Sequence, residues 1–306
     1  MTHLALVGPT ASGKSDLALA VARAFGDVEI VSIDSMQVYR GFDIGTAKPS
    51  PAVRAEIRHH LVDVADPGEE WSVARFQAAA RAAVRDIEAR GRRALLVGGT
   101  GLYVRAVIDP FTFPPEDRAL RAELEARGAT PEGQAGLYAE LARLDPAAAE
   151  RIEPGNVRRT ARALEVLRVT GRPFSSFGAG LAEFGAPALS VRQAGVWVPR
   201  ARLVARIEAR VDAMLAAGLG DEVARLAAGG EWSRTARQAI GYEEMLALGR
   251  GEIPSLATAR ERIVARTRAF ARRQRMWFRR DPRVTWFGAT TNPGSLLPAL
   301  LADWSR

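Results

Sequence analysis

The run Gly8-Pro9-Thr10-Ala11-Ser12-Gly13-Lys14-Ser15 constrains this chain more than any other feature, because it functions only between a strand and a helix. Two Gly flanking four residues, followed by Lys-Ser, form the P-loop pattern, in which backbone N–H groups point into one concavity. The apolar run Leu4-Ala5-Leu6-Val7 before it predicts a buried parallel strand. After it, Leu17, Val21 and Phe25 recur four residues apart and give a helix over Lys14 to Phe25 one apolar face. The helix N-terminus adds positive potential, Lys14 a mobile charge and Ser15 a hydroxyl able to ligate magnesium. Such a cradle binds a diphosphate. The plainer alternative, an ordinary glycine-rich turn, is outweighed by the full motif in its context.

Further along, Glu29 to Asp34 reads as a second strand, Trp71 to Arg90 as an amphipathic helix and Ala94 to Thr100 as a third strand. Strand and helix alternate, which predicts an α/β fold with a P-loop NTPase-like parallel sheet. From about Pro110 the pattern turns polar and helical, punctuated by Pro114-Pro115, Pro131, Pro146 and Pro154, with no strand until Ser190. An all-helical domain over residues 113–187 is therefore expected within a catalytic core of residues 1–112 and 188–306. Gly178, Gly180, Gly185 and Pro187 mark the return. Then follow a strand over Val191 to Val198, helices over Arg200 to Ala217 and Pro254 to Arg280, and a last strand over Val284 to Phe287.

The net charge of +8 argues for a polyanionic partner, since clustered cations gain affinity by displacing counterions from phosphates. The charge is focused: ten Arg but only two acids, Glu261 and Asp281, lie between Arg260 and Arg283. In the helix there, Ile263, Phe270 and Trp277 are seven apart and are expected to face the core. Arg268, Arg272, Arg275 and Arg279 then form a solvent-facing stripe. Trp277 could stack on RNA, but its place on the apolar stripe favours packing. The absence of Cys excludes disulfides and thiolate ligands, and His59-His60 lacks the spacing of a metal site, so a packing role is expected. With no long apolar segment and no signal pattern at the N-terminus, a soluble, cytoplasmic protein without a membrane partner is expected.

A P-loop alone suggests an ATPase or kinase, in which a nearby strand ends in a magnesium-holding Asp. The run Gly98-Gly99-Thr100-Gly101-Leu102-Tyr103 offers no carboxylate there. The acid is Asp34, at the end of the second strand. In a parallel sheet the carboxyl ends of the strands line the ligand crevice, so Asp34 and Thr100 should both look onto the P-loop. A general base would fit at Asp34. A cap on the following turn is the structural alternative.

These motifs resemble, in order, the signatures of the bacterial tRNA dimethylallyltransferase (IPP transferase) family. They are Gly8 to Ser15, Asp34-Ser35-Met36-Gln37-Val38-Tyr39, Asp43 to Pro49, His59 to Asp63 and Gly98 to Tyr103. Arg158 to Glu165, Arg206 to Arg210 and Gln238-Ala239-Ile240-Gly241-Tyr242 are similar to the family's later motifs, so the likeness spans nearly the whole chain. The resemblance implies a P-loop that holds dimethylallyl diphosphate, with Gly8, Pro9, Thr10, Ala11, Ser12, Gly13, Lys14, Ser15, Arg206 and Arg200 at its diphosphate. It implies that Asp34 takes the proton of an adenine amine and that Thr100 contacts the diphosphate or the flipped base. Lys14 and Arg206 complete the implied catalytic set, and Mg2+ is the implied cofactor, reached by Ser15 through the diphosphate.

The implied acceptor is the anticodon stem-loop of tRNA, at the N6 of the adenosine 3′ to the anticodon in tRNAs that read codons beginning with U. By the same resemblance, Asp34, Ser35, Met36, Gln37 and Thr100 would touch tRNA, as would Arg158, Arg159, Thr160, Ala161 and Arg162 in the inserted helical domain. Gln238, Ala239, Ile240, Gly241, Tyr242 and Glu243 form the third such segment, and a monomer is expected. A loop base is a reasonable target, because extruding it costs less than in a duplex. Three rivals share the cradle: a P-loop nucleotide kinase, a cytokinin-type prenyltransferase acting on free adenosine nucleotides, and an RNA-binding protein with a vestigial P-loop.

Overall fold

The computed structural model describes residues 2–178 and 183–305, so Gly180 lies outside the described residues. The chain forms two compact units, Met1–Pro110 with Ala186–Arg306, and Phe111–Gly185. Strands β1 (His3–Val7), β2 (Val28–Ile33), β3 (His59–His60), β4 (Arg93–Gly98), β5 (Val191–Trp197) and β6 (Val284–Gly288) all belong to the first unit. They pair in parallel in the order β3-β2-β4-β1-β5-β6. The run read as a third strand is thus the fourth along the chain. The edge pair His59-His60 comes before it, where His60 Nε2 meets the buried Glu29 carboxylate at 2.7 Å.

Helices α1 (Lys14–Phe25), α2 (Pro51–Glu56), α3 (Val73–Ala89) and α4 (Gly101–Ile108) precede the second unit. That unit holds α5 (Arg118–Arg127), α6 (Pro131–Leu144), α7 (Pro146–Ala149), α8 (Val157–Thr170) and α9 (Ser175–Gly178). The first unit resumes with α10 (Arg200–Ala216), α11 (Leu219–Ala228), α12 (Tyr242–Gly249), α13 (Leu256–Phe278) and α14 (Leu297–Trp304). No helix is long and apolar enough to cross a membrane among the described residues.

Alternation along the strands builds a core on each face of the sheet. Leu4 and Leu6 enter one apolar cluster with Leu95, Val196, Leu17 of α1 and Leu300 of α14. Ala5 and Val7 enter the other with Ile33, Leu96, Phe76 of α3, Ile207 of α10 and Phe278 of α13. With both faces covered, ligand access is left to the strand ends, where the β1 to α1 turn lies.

Two readings of α13 change. Its buried residues are Ala259, Ile263, Val264, Ala271, Gln274 and Phe278, whereas Phe270 and Trp277 are only half-buried. A straight helix of 3.6 residues per turn drifts off a strict seven-residue repeat by about 20° each heptad, which carries Phe270 and Trp277 toward the side of the stripe, although Trp277 packs against the apolar core as expected. Arg268, Arg272 and Arg279 are exposed as expected, but Arg275 is half-buried with its guanidinium 5.4 Å from the Trp197 ring.

Within the second unit, polar residues placed one position before α5, α6, α7 and α8 start these helices. Asp117, Thr130, Asp145 and Asn156 each accept a backbone N–H at the N-terminus of α5, α6, α7 and α8. The helices close over Leu124, Leu137, Leu141, Ala161 and Leu164.

Candidate active site

The P-loop is a cradle of unusual backbone conformations. Gly8 and Gly13 take φ values of 145° and 86°, and Ala11, at 61°, occupies the left-handed region with a side chain present. At Gly8 a Cβ would sit 2.9 Å from the Val196 carbonyl oxygen, so only glycine lets β1 turn there beside β5. Ser12 is fully buried and its Oγ has no hydrogen-bond partner, a polar atom held without a protein mate inside the cradle. Ser15 stands exposed in the first turn of α1.

Lys14 is 9% exposed and its Nζ donates to the Pro9 carbonyl at 2.7 Å. Burial, and then the nearby Arg210 guanidinium, lower its pKa to about 7, while Asp34 acts in the opposite direction. Two arginines of α10 flank the loop from one helix face. Arg206 Nε donates to the Ala11 carbonyl at 2.8 Å, and Arg210 Nη1 lies 3.5 Å from Thr10 Oγ1. Burial lowers the pKa of Arg210, with Asp34 and Asp16 opposing the shift. Arg210 closes the motif that Arg206 opens and joins the site, although the resemblance implies only Arg206 there, and its spacing of four from Arg206 puts both on one face. Arg200 is exposed in the first turn of α10, six residues before Arg206, and no hydrogen bond joins it to the loop among the described residues.

Asp34 follows β2, and its Oδ1 accepts the Met36 N–H at 2.8 Å and that of Gln37 at 3.4 Å. The carboxylate therefore does cap the turn, as the alternative reading held, with one of its two oxygens. Gln37 is committed to its own loop, accepting from Ser32 Oγ at 2.8 Å and donating to the Thr46 carbonyl at 3.2 Å. Thr100 occupies the N-cap of α4, yet its hydroxyl makes no cap hydrogen bond. It is half-buried and chemically available.

The strand ends are packed against one another through glycines. A Cβ on Gly98 would overlap the Ile33 carbonyl, and one on Gly99 would sit 3.0 Å from the Gly8 carbonyl oxygen. The ends of β2, β4 and β1 thus meet backbone to backbone, which draws the Asp34 and Thr100 segments toward the P-loop. Gln274 of α13 also enters here: it accepts the Thr10 N–H through Oε1 at 2.8 Å. No motif marks it in the sequence, although a lone uncharged polar residue on the core stripe of an arginine-rich helix is the available signal.

Several residues implied as tRNA contacts are interior. Tyr242 is 0% exposed, stacks on Phe42 with centroids 4.3 Å apart and donates to Glu222 at 2.6 Å. Ala239 and Gly241 are buried beside it. In the second unit Thr160 and Ala161 face the apolar interior, while Arg162 is held by Glu165 at 2.8 Å. A buried side chain cannot meet a macromolecule without unfolding its surroundings, so these positions shape their segments from within. Arg158, Arg159 and Gln238 are exposed, and Ser35, Met36, Ile240 and Glu243 are partly so. No cluster of three or more His, Asp or Glu able to hold a metal occurs among the described residues.

Fold and cradle together define a P-loop protein whose acid, Asp34, stands on the strand beyond the P-loop's neighbour. The family described as IPP transferase matches residues 37–281, and the one described as isopentenyl transferase matches residues 1–64. A tRNA dimethylallyltransferase of Kineococcus radiotolerans is 52% identical over 294 residues, covering 94% of this chain and 90% of the relative. The crystal structure of the full-length tRNA isopentenylpyrophosphate transferase from Bacillus halodurans is 37% identical with a TM-score of 0.72, covering 99% of this chain and 95% of that one. A eukaryotic dimethylallyltransferase captured acting on tRNA is 26% identical with a TM-score of 0.83, covering 99% and 79%. The chain belongs to the IPP transferase family.

Proposed function

We propose that this protein transfers a dimethylallyl group from dimethylallyl diphosphate to N6 of the adenosine 3′ to the anticodon, in tRNAs reading codons that begin with U. The observation that carries the reading is the arrangement of the cradle. The P-loop lies beside a strand end without a carboxylate, and the acid that acts on Lys14 from the sheet is Asp34, one strand further out. That suits a phosphate that leaves, with a separate acceptor deprotonated nearby. The names of the relatives support tRNA as the acceptor and a dimethylallyl diphosphate as the donor.

In this reading the P-loop amides, Lys14 and Arg206 bind the donor diphosphate. The bond between the allylic carbon and the diphosphate oxygen breaks, its electron pair leaving with the diphosphate, and cations fixed beforehand stabilise that charge. The adenine N6 forms the new bond to the same carbon. Its proton becomes acidic as the bond forms and passes to the Asp34 oxygen that the turn does not use. The Thr100 hydroxyl, uncommitted at the start of α4, contacts the base or the diphosphate. The Ser15 hydroxyl and the unpartnered Ser12 Oγ fit a magnesium diphosphate, since Mg2+ takes few protein oxygens and keeps its waters. When bound, the ion neutralises leaving-group charge. A tRNA acceptor makes the cytoplasm the setting of the reaction.

Diphosphate release tests the reading. Release from dimethylallyl diphosphate that requires tRNA and proceeds without ATP supports it. Hydrolysis of ATP, or phosphoryl transfer to a nucleoside, without such release contradicts it.

A further inference from the structure

The arginine-rich helix α13 reaches the cradle through side chains that its charge had obscured. Gln274 is 6% exposed and sits at the meeting point of β1 and β4. Its carboxamide has a defined orientation, because the Thr10 N–H at 2.8 Å can be accepted only by oxygen. The amide nitrogen then lies against Gly99, where a Cβ would run into it. One turn on, the Trp277 indole fills the place a Cβ of Gly101 would take. Thr100 is therefore flanked on both sides by residues that α13 holds in place, and the same Gln274 holds the P-loop rim.

The geometry points to Gln274 as a positioning residue for prenyl transfer, one that fixes the spacing between the donor cradle at Thr10 and the Thr100 hydroxyl. This assignment rests on the transferase reading and adds a residue to it. Polar burial is otherwise unexplained here, since an apolar residue at position 274 would extend the stripe formed by Ala271 and Phe278. Gln274 instead takes one P-loop amide out of the phosphate cradle and fixes its direction. Because it projects from the helix that carries Arg268 and Arg272, the surface offered to a polyanion and the donor loop are tied to one rigid element.

Two near-isosteric variants test it in the full-length protein. Gln274→Met keeps the bulk and removes the acceptor. Gln274→Glu keeps an acceptor for Thr10 but brings a negative charge to the diphosphate. Single-turnover transfer to bound tRNA, at a temperature where circular dichroism shows each protein folded, should fall about 10- to 100-fold for Gln274→Met, the scale expected from misplacing reacting groups by an ångström or less. Its tRNA affinity should not change. Gln274→Glu should recover most of the rate at saturation while its KM for dimethylallyl diphosphate rises.

A wild-type saturating rate in Gln274→Met, or equal losses of rate in both variants, overturns the assignment and leaves a purely structural residue. If Gln274→Met does not fold, Gln274→Glu decides alone: a raised donor KM supports the assignment and an unchanged one overturns it. Wild-type protein unable to prenylate tRNA would refute the transferase reading itself, a result separate from any of these.

Discussion

The Lys14 ammonium donates to the Pro9 carbonyl across 2.7 Å, within the loop it is expected to serve. With its pKa drawn down to about 7 by burial and Arg210, Lys14 is only partly charged near neutrality in the free protein. A bound diphosphate favours the charged form. At pH 8, binding of dimethylallyl diphosphate should therefore take up about one proton, and affinity should weaken as pH rises above 7. For stability the sign also follows: between pH 7 and the ordinary lysine value of 10.5 the unfolded chain binds more protons here, so this group makes the free protein more stable as pH rises. Calorimetry in buffers of different ionisation enthalpy measures the uptake. Zero uptake at pH 8 would show that Lys14 is already charged or does not meet the diphosphate.

Asp34 carries two roles that substitution separates. Asp34→Asn keeps the Oδ1 that caps Met36 and removes the base, so both substrates should bind while transfer at saturation slows by about 10² to 10⁴. Asp34→Ala should lose as much rate and also about 1 kcal/mol of stability with the cap. Single-turnover kinetics on prebound tRNA, with thermal denaturation alongside, measures both. Near-normal transfer by Asp34→Asn would leave Asp34 as a turn cap alone.

The exposed arginines of α13 and its C-terminal end should hold the nucleic acid. Changing Arg268, Arg272 and Arg279 to Gln should weaken tRNA binding and make its dependence on salt shallower, by about one unit of slope for each phosphate no longer neutralised. Arg275, packed over Trp197, should contribute less. A filter-binding salt titration gives the slope, and an unchanged value would move the RNA path to Arg158 and Arg159 of the second unit.

Tyr242→Phe should act on stability and not on RNA. It removes the donor to Glu222, which is 2% exposed and otherwise accepts from the Ile44 and Gly45 amides. Leaving that carboxylate short of a partner should cost about 1–3 kcal/mol. Chemical denaturation reads the cost, and tRNA affinity should stay within about twofold, since a loss of this order in stability leaves the folded surface unchanged. A large affinity loss with unchanged stability would put Tyr242 at the interface after all.

The sequence carried the parts of this site that depend on local pattern. Lys14 to Phe25 forms a helix with the bounds its leucine and valine spacing set, and the Gly8 to Ser15 loop needs only its own backbone to make a cradle. What sequence concealed depends on packing across the chain. The two-residue strand at His59-His60 has no apolar alternation to betray it, being tied instead to Glu29. Ala94 to Thr100 reads as one strand, yet β4 ends at Gly98 and α4 begins at Gly101, and Gly98, Gly99 and Gly101 are each glycine because Ile33, Gln274 or Trp277 fills the space beside it. A seven-residue repeat put Phe270 and Trp277 on the core face of α13, but the true 3.6-residue period turns Phe270 aside and brings in Gln274, while Trp277, half-buried, still packs against the core. Tyr242, in a segment that reads as a surface motif, is interior because Gly45 leaves room for its ring.

Mass spectrometry of tRNA incubated with the protein, dimethylallyl diphosphate and magnesium, with ATP left out, decides whether the protein transfers a prenyl group to tRNA. The tRNA should gain one isopentenyl group on a single adenosine, the one 3′ to the anticodon, with Asp34→Asn giving almost none in the same time. Unmodified tRNA under these conditions, or a gain that appears only when ATP is added, would contradict the proposed transfer.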